Sequence, residues 1–223
     1  DNDEMTQAEA EFFDLFYMSG LGEFSFRNNV APHIAFPHSD AARARKADVR
    51  LKKGIVVPVG GGKDSIVSIE SLKSVGFSPV LFSVGLPRPI RETVELSGLP
   101  SVLVRRKISP DLIAANENAA GALNGHVPVT GVIAFILMCA AVLYDFTDAA
   151  LSNERSANVG NTEKDGRVVN HPWSKSIEFE RAFRTLTQTV LPDFRYFSLL
   201  RPLSELAIAS LFSKIGKYDA VFT

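Results

Sequence analysis

The sequence is poor in cysteine, in net charge and in long hydrophobic runs. Its 223 residues include one cysteine, Cys139, so neither an internal disulfide nor a cysteine-rich metal centre can form. The formal net charge of −1 gives no overall field that would draw the chain to nucleic acid or to an anionic membrane. The longest apolar run, residues 131–143, is too short to span a bilayer, and residues 1–4 carry acids where a signal peptide is basic. We therefore expect a cytoplasmic protein without nucleic-acid or membrane partners.

Short apolar runs alternate with amphipathic segments along most of the chain. We predict strands at residues 54–59, 78–85, 101–108, 147–153 and 218–222, and helices at residues 8–18, 65–75, 89–97, 112–118, 129–144, 177–190 and 203–216. Residues 194–200 are expected to be extended, and the apolar helix at 129–144 to be buried on all sides. This alternation predicts an α/β fold: a parallel twisted sheet of about five strands with helices on both faces.

A glycine-rich segment, GGGKDS, stands between the first predicted strand and the helix that follows it. Backbone N–H groups of such a turn, together with a helix N-terminus, bind anions well. Lys63 adds a full positive charge, and Ser65 adds a hydroxyl. Asp64 would repel phosphate directly, so it either shares a divalent cation with the ligand or caps the helix. The segment is predicted to bind phosphate.

The spacing of this segment separates it from two common phosphate-binding motifs. Walker A fails because Val57 occupies its first glycine position and Asp64 separates Lys63 from the serine, and the Rossmann pattern G-x-G-x-x-G fails as well. The segment instead resembles the S-G-G-x-D-S/T motif of the PP-loop ATP pyrophosphatases, with glycine in the place of the family's serine. That resemblance implies cleavage of ATP between its α- and β-phosphates, with ATP held by Gly60, Gly61, Gly62, Lys63, Asp64 and Ser65.

The PP-loop resemblance also implies further nucleotide contacts outside the glycine segment. An adenine pocket is expected at the end of the second strand, at Ser83 and Val84 beside Phe82, acting mostly through backbone groups. Gly131 is placed to let the nucleotide lie close to a helix start. Arg201 opens an RPL motif that many family members carry before a late helix.

A second polar cluster lies in residues 151–183, after the fourth predicted strand and therefore at the expected ligand edge of the sheet. Arg155 or Lys175 is suited to neutralise an α-phosphate or a substrate carboxylate. Magnesium could be held by Asp64, Glu154 or Glu178, of which we predict the first two. His171 could move a proton near neutral pH. The predicted substrate-binding residues are Asn153, Glu154, Arg155, Ser156, Trp173, Ser176 and Arg181.

The stretches LSNERSAN and NHPWSKSIEFE, at residues 151–158 and 170–180, carry a closer resemblance together with the glycine segment. They resemble the UDP-N-acetylmuramoyl-L-alanyl-L-glutamate epimerases, the MurL family of bacterial cell-wall synthesis. The resemblance implies inversion of the terminal L-glutamate of UDP-MurNAc-L-Ala-L-Glu, with ATP and Mg²⁺ as cofactors and an adenylated carboxylate as intermediate. Lys63 would hold the departing pyrophosphate. Proton transfer is assigned to His171, Lys175 or Glu178, and the sequence does not choose among them.

The domain division follows from these two regions. Residues 1–50 are expected to form an N-terminal helical extension, irregular at 21–40, and residues 51–223 an ATP-binding domain. The chain lacks an initial methionine and ends in a predicted strand, so we expect a fragment truncated at its C-terminus. Another adenylating PP-loop enzyme remains an alternative, although sulfur transfer generally needs cysteines and a tRNA binder should be basic. A nucleotide-binding sensor without catalysis is a second alternative, and a structural domain whose glycine loop is empty is a third.

Overall fold

A computed structural model of the chain describes residues 4–118, 121–158, 162–164, 167–170 and 172–222. The helices found there are α1 (Gln7–Gly20), α2 (Gly22–Asn28), α3 (Lys63–Ser74), α4 (Arg88–Ser97), α5 (Pro110–Asn118), α6 (Val129–Tyr144), α7 (Ile177–Val190) and α8 (Glu205–Phe212). The strands are β1 (Ile55–Pro58), β2 (Val80–Val84), β3 (Ser101–Val104), β4 (Asp148–Leu151), β5 (Thr162–Lys164), β6 (Arg167–Val169) and β7 (Arg195–Ser198).

Five of these strands form one parallel sheet in the order β3-β2-β1-β4-β7. In register, Val56 of β1 lies beside Val80 of β2 on one side and Ala149 of β4 on the other. The predicted α/β fold with a parallel sheet of about five strands is therefore confirmed. An additional antiparallel ribbon, β5 with β6, lies within the polar segment that was predicted only as a loop.

Helices cover both faces of the sheet. Successive residues of a strand point to opposite faces, so adjacent residues of β1 belong to different buried clusters. Val56 belongs to a buried cluster with Leu137 of α6 and Phe183 of α7. The next residue, Val57, belongs to a different cluster with Ile69 of α3. This strand is apolar on both faces, as expected for the centre of a parallel sheet.

The N-terminal helix packs into the core on the α6 side of the sheet. It begins with a capping box, in which the Thr6 hydroxyl accepts from the Glu9 backbone N–H and the Glu9 carboxylate accepts from the Thr6 N–H at 2.8 Å. Phe12 and Phe16 on its inner face are buried beside Phe179 of α7. Residues 21–40 were predicted as irregular, but α2 occupies part of them. The boundary near residue 50 stays a prediction.

The predicted fifth strand was wrong in its position. Residues 218–222 lie in a 3₁₀ helix, and the fifth strand of the sheet is β7, which the sequence indicated only as extended. Tyr218 explains the difference, because its ring is buried beside Ile66 of α3 and its hydroxyl donates to Glu70 at 2.6 Å. A short apolar run does not distinguish a strand from a helical turn that packs against a neighbouring helix.

The prediction that the apolar helix is buried on all sides was also wrong. Val132, Leu143 and Tyr144 of α6 are 48%, 77% and 55% exposed, whereas Ala134 and Leu137 are buried. The helix packs with one side toward the sheet and presents apolar residues outward on the other. Within the described residues, no helix combines the length and the apolar character that crossing a membrane requires.

Candidate functional site

A cavity of about 390 Å³ opens at the carboxyl ends of β1, β2 and β4. Strand β1 lies between β2, which follows it in the chain, and β4, which begins the other half of the sheet. That change of direction is where open α/β sheets bind ligands, because the connections leave β1 and β4 on opposite sides and a crevice forms between them. The position agrees with the ligand edge that the strand pattern predicts.

The glycine segment forms one wall of this cavity. Gly60 and Gly62 line it, and a Cβ at either position would meet no heavy atom within 4 Å. Gly61 faces the other way: its φ is +75°, and a Cβ there would come within 2.9 Å of Ile90 N and of the Pro89 Cβ. The first and third glycines keep the cavity open, and the second allows the loop to pack against α4.

The first turn of α3 continues this wall. Its N-cap is Gly62, which has no side chain to satisfy the N–H groups of that turn. The Ser65 hydroxyl donates to the Gly62 carbonyl at 2.9 Å and lines the cavity. Asp64 stands inside the helix as its second residue, so the alternative in which it caps the helix was wrong. First-turn N–H groups that no side chain caps, beside an open cavity, favour an anionic ligand.

Lys63 is held beside this wall by two carboxylates. Its ammonium lies 3.0 Å from Asp64 Oδ1 and 2.7 Å from Glu205 Oε1 at the start of α8. Burial alone lowers the pKa of the ammonium, but its hydrogen bonds to Glu205 and Asp64 outweigh that and raise the pKa above the ordinary value. Lys63 is therefore a positively charged residue at the N-terminus of α3, and it does not itself line the cavity.

Asp64 carries the observation that tests a magnesium site. It lines the cavity, and its Oδ1 is buried with the Lys63 ammonium 3.0 Å away and no other hydrogen-bond partner among the described residues. A buried carboxylate oxygen with free lone pairs fits Mg²⁺, which binds one or two carboxylates and completes its shell with water and phosphate oxygens. The described residues contain no group of three or more metal-binding side chains.

The end of β2 forms the second wall. Phe82, Ser83 and Val84 all line the cavity, as the adenine-pocket expectation requires. Gly85 follows with φ of +83° and turns the chain away from the strand. Ile133 of α6 lies across from these residues, so this end of the cavity is bounded by apolar side chains and by strand backbone.

The opposite end of the cavity lies toward β4 and β7. Ser152 and Asn153, which follow β4, and Lys175 line it. The Asn153 amide donates to the Ser198 hydroxyl at 3.2 Å. The Lys175 ammonium, in contrast, has no hydrogen-bond or ion-pair partner among the described residues. In the sheet, β7 lies three strand spacings from β2. At about 4.8 Å per spacing the two strands are about 14 Å apart, so the cavity has two distinct ends.

Several predicted substrate residues lie near this end without lining the cavity. The Glu154 carboxylate accepts hydrogen bonds from the backbone N–H and the hydroxyl of Ser156, so it is not paired with Asp64 as a second magnesium ligand. Arg155 and Arg181 have exposed side chains. The structure therefore brings Asn153 and Lys175 to the cavity wall and leaves the rest of this group outside it.

The second polar stretch contributes packing and a helix cap. Trp173 is buried against Phe16 and Phe179, and its indole N–H donates to the Glu178 carboxylate at 2.7 Å. The Ser176 hydroxyl caps α7 by accepting from the Phe179 N–H. The structure places these predicted site residues in the core and at a helix start. His171 lies outside the described residues.

Two predicted nucleotide contacts also occupy other positions. A Cβ on Gly131 would collide with the Phe16 ring, so the close approach at that glycine is to α1 and not to the cavity. Arg201 does not line the cavity either. Its guanidinium donates to the carbonyls of Glu154 and Lys175 at 3.0 and 2.8 Å, and to the Glu180 carboxylate at 3.0 Å.

Tyr196 is a cavity residue that was not predicted from the sequence. Tyr196 of β7 lines the cavity, and its ring is buried. Its hydroxyl has no hydrogen-bond partner among the described residues. Burial, reinforced by the Glu180 carboxylate and opposed by Arg201, raises the pKa of the phenol far above its ordinary value. The only signal in the sequence was an aromatic residue in a strand, which usually indicates core packing.

Comparison with known proteins assigns the family. The family model of the MurL N-terminal domain matches residues 1–199. The chain belongs to the MurL N-terminal domain family. The resemblance stated from the sequence motifs is thereby confirmed, and it extends through the N-terminal helices as well as the sheet.

Two relatives carry the same name, UDP-N-acetyl-alpha-D-muramoyl-L-alanyl-L-glutamate epimerase. The protein from Xanthomonas oryzae pv. oryzae (strain MAFF 311018) is 44% identical over 210 residues, which are 93% of this chain and 46% of that protein. The one from Micromonospora sp. (strain ATCC 39149 / NRRL 15099 / SCC 1413) is 42% identical over 223 residues, 97% of this chain and 49% of that protein. The chain thus spans about half the length of the curated relatives it matches.

A solved structure described as a predicted subunit of tRNA methyltransferase from Methanocaldococcus jannaschii also matches, at 16% identity over 73% of this chain and 75% of that one. Its TM-score is 0.43.

Proposed function

We propose that this chain is the ATP-binding half of an epimerase that inverts the terminal L-glutamate of UDP-MurNAc-L-Ala-L-Glu. The observation that carries the proposal is the cavity itself. A glycine segment with an open helix N-terminus forms one wall, and a polar end lined by Asn153 and Lys175 lies beyond it. The names of the relatives supply the substrate class. ATP, Mg²⁺ and the adenylate are parts of the proposal.

The chemical reason for ATP is the acidity of the α-proton. A free carboxylate makes that proton very hard to remove, because the carbanion would form beside a negative charge. Joining the carboxylate to AMP cancels the charge and makes the α-proton far more acidic. A base can then remove it, an acid can return it on the other face, and water can release the inverted glutamate. AMP and pyrophosphate are the expected by-products.

Different residues along the cavity would bind the phosphates, the Mg²⁺ and the substrate. The N–H groups of the glycine segment and of the α3 start would hold the phosphates, and Lys63 would neutralise the pyrophosphate as it leaves. For this, Lys63 must exchange its contact with Glu205 for one with phosphate. Asp64 would hold Mg²⁺, which supplies charge neutralisation of the phosphate oxygens. Lys175, which lines the other end, would meet the substrate carboxylate.

The assay is the production of AMP and of D-glutamate. The full-length protein is mixed with ATP, Mg²⁺ and UDP-MurNAc-L-Ala-L-Glu, and the products are measured after hydrolysis of the peptide. AMP together with D-glutamate supports the proposal. AMP with a different carboxylate only would retain adenylation and reject the substrate. Absence of AMP with every acceptor would reject the enzyme and favour a nucleotide sensor.

Substitution of Lys63 tests the phosphate assignment. Lys63→Ala is expected to lower ATP-dependent turnover at least about 100-fold, since the proposal requires its positive charge at the departing pyrophosphate. Lys52→Ala is the matched control, because Lys52 is an exposed lysine paired with Asp145 away from the cavity. Full activity of Lys63→Ala, or equal losses in both variants, would reject the role of Lys63.

A further inference from the structure

Tyr196 carries a buried hydroxyl and lines the cavity. The ring packs against Phe183 and Phe179, with centroids 4.8 and 6.3 Å away. The oxygen is shielded from solvent and has no hydrogen-bond partner among the described residues. Such a group costs folding free energy, and a phenylalanine would keep the ring packing without that cost. A hydroxyl in this position therefore indicates a partner that binds to the protein.

The place of Tyr196 in the cavity indicates which partner that is. The glycine segment follows β1, and β2 bounds one side of it, so a nucleotide with its phosphates on the glycines extends toward β2. Tyr196 stands on β7, at the opposite end, together with Asn153 and Lys175. The group at that end is the one joined to the phosphate, which in the proposed reaction is the carboxyl group of the substrate.

We propose that Tyr196 donates a hydrogen bond to the acyl oxygen of the substrate's terminal glutamate, an inference that rests on the proposed function. In this role the phenol stabilises the charge that develops on that oxygen. The raised pKa of Tyr196 agrees with the assignment, because the group keeps its proton and acts as a donor instead of a base.

The electron balance of the step is simple. The bond between the α-carbon and its hydrogen breaks, the proton passes to a base of the site, and the electron pair becomes an enolate with its charge on the acyl oxygen. The reverse transfer on the other face restores the bond, so nothing is oxidised or reduced. The hydrogen bond from Tyr196 strengthens as the oxygen becomes negative, and this difference accelerates the reaction.

Tyr196→Phe tests the assignment because it removes only the hydroxyl. Its Tm is expected to equal or exceed that of the wild type, since the hydroxyl has no hydrogen-bond partner to lose in the described part of the chain. The affinity for ATP, measured by calorimetry, should be unchanged, and so should substrate-dependent exchange of pyrophosphate into ATP. Exchange of the glutamate α-proton with D₂O should fall by about 100- to 1,000-fold, as for loss of an oxyanion donor.

Tyr218→Phe is the matched control. Tyr218 is also a buried tyrosine, but its hydroxyl donates to Glu70 away from the cavity. This variant should lose about 2–4 °C in Tm and keep wild-type α-proton exchange. The two variants are thus expected to show opposite responses in stability and in exchange.

Each other result has its own meaning. A normal α-proton exchange rate in Tyr196→Phe overturns the role of Tyr196 and leaves the proposed function intact. Weakened ATP binding in that variant overturns it too, because the phenol would then face the nucleotide. A fall in Tm equal to that of Tyr218→Phe would assign the hydroxyl a structural role. Absence of pyrophosphate exchange in the wild-type protein rejects adenylation itself, and the inference about Tyr196 with it.

Discussion

Gly61 offers a test of why the loop contains three glycines in a row. Its φ of +75° lies in the left-handed region, and a Cβ would come within 2.9 Å of Ile90 N and of the Pro89 Cβ. Gly61→Ala therefore combines two costs. The left-handed backbone costs an alanine about 1–2 kcal/mol, and forcing a methyl group against packed backbone costs about 1–3 kcal/mol.

These costs translate into a measurable loss of thermal stability. Their sum is about 2–5 kcal/mol, with a midpoint near 3.5 kcal/mol. A protein of this size loses about 3 °C in Tm for each kcal/mol, so Gly61→Ala should melt about 10 °C below the wild type. Circular dichroism or differential scanning calorimetry measures this shift directly.

Gly60→Ala supplies the control one residue away. Gly60 does not have a positive φ, and its Cβ would meet no atom within 4 Å. This substitution should leave Tm unchanged or raise it slightly, by the equivalent of about 0.4–1 kcal/mol, because alanine has less freedom in the unfolded chain. Equal Tm values for the two variants, or a larger loss in Gly60→Ala, would refute the packing of Gly61 on α4 as the reason for the second glycine.

Two further substitutions test the ion pairs around the cavity. Folding raises the pKa of Lys63 above its ordinary value of 10.5. The ion pairs of Lys63 therefore contribute their full stabilisation below pH 10.5, and this stabilisation is lost as the pH rises through the pKa of the folded state. The Tm difference between wild type and Glu205→Gln should therefore shrink above about pH 10.5, and a constant difference would contradict this. Arg201→Ala breaks a pair with Glu180 in which the side chains are 14% and 7% exposed, and should cost about 3–5 kcal/mol in urea denaturation. Arg181→Ala is the control, because the Arg181 side chain is exposed. A loss of unfolding free energy below about 1 kcal/mol in Arg201→Ala would contradict the prediction.

Most of the sheet could be predicted because its strands have a strong local signal. β1 is a run of apolar residues bounded by glycine, and the helix after it has a regular apolar stripe. The fifth strand was misplaced because Tyr196 and Tyr218 lie in similar short aromatic runs. Which run pairs with β4 depends on tertiary contacts, namely the packing of Tyr218 on α3.

The candidate site was predictable where a motif determines backbone position. Gly60, Gly62, Asp64 and Ser65 of the glycine segment line the cavity together with the end of β2 and Asn153, since all lie at the carboxyl ends of strands at the same edge of the sheet. Trp173 was placed at the site for its residue type, but an aromatic ring buried in the core and one facing a ligand are identical in sequence. Tyr196 was missed for the complementary reason, because an absent hydrogen-bond partner is visible only in three dimensions.

Arg201 shows how a residue without contact to the cavity can still matter for it. Its guanidinium joins the Glu154 carbonyl, in the loop after β4, to the Lys175 carbonyl, in the turn before α7. Five N–H donors in a fixed plane suit this task, and the flexible ammonium of a lysine does not. Because Lys175 lines the cavity, fixing its backbone limits where its ammonium can reach. The RPL motif thus acts on the cavity by positioning Lys175.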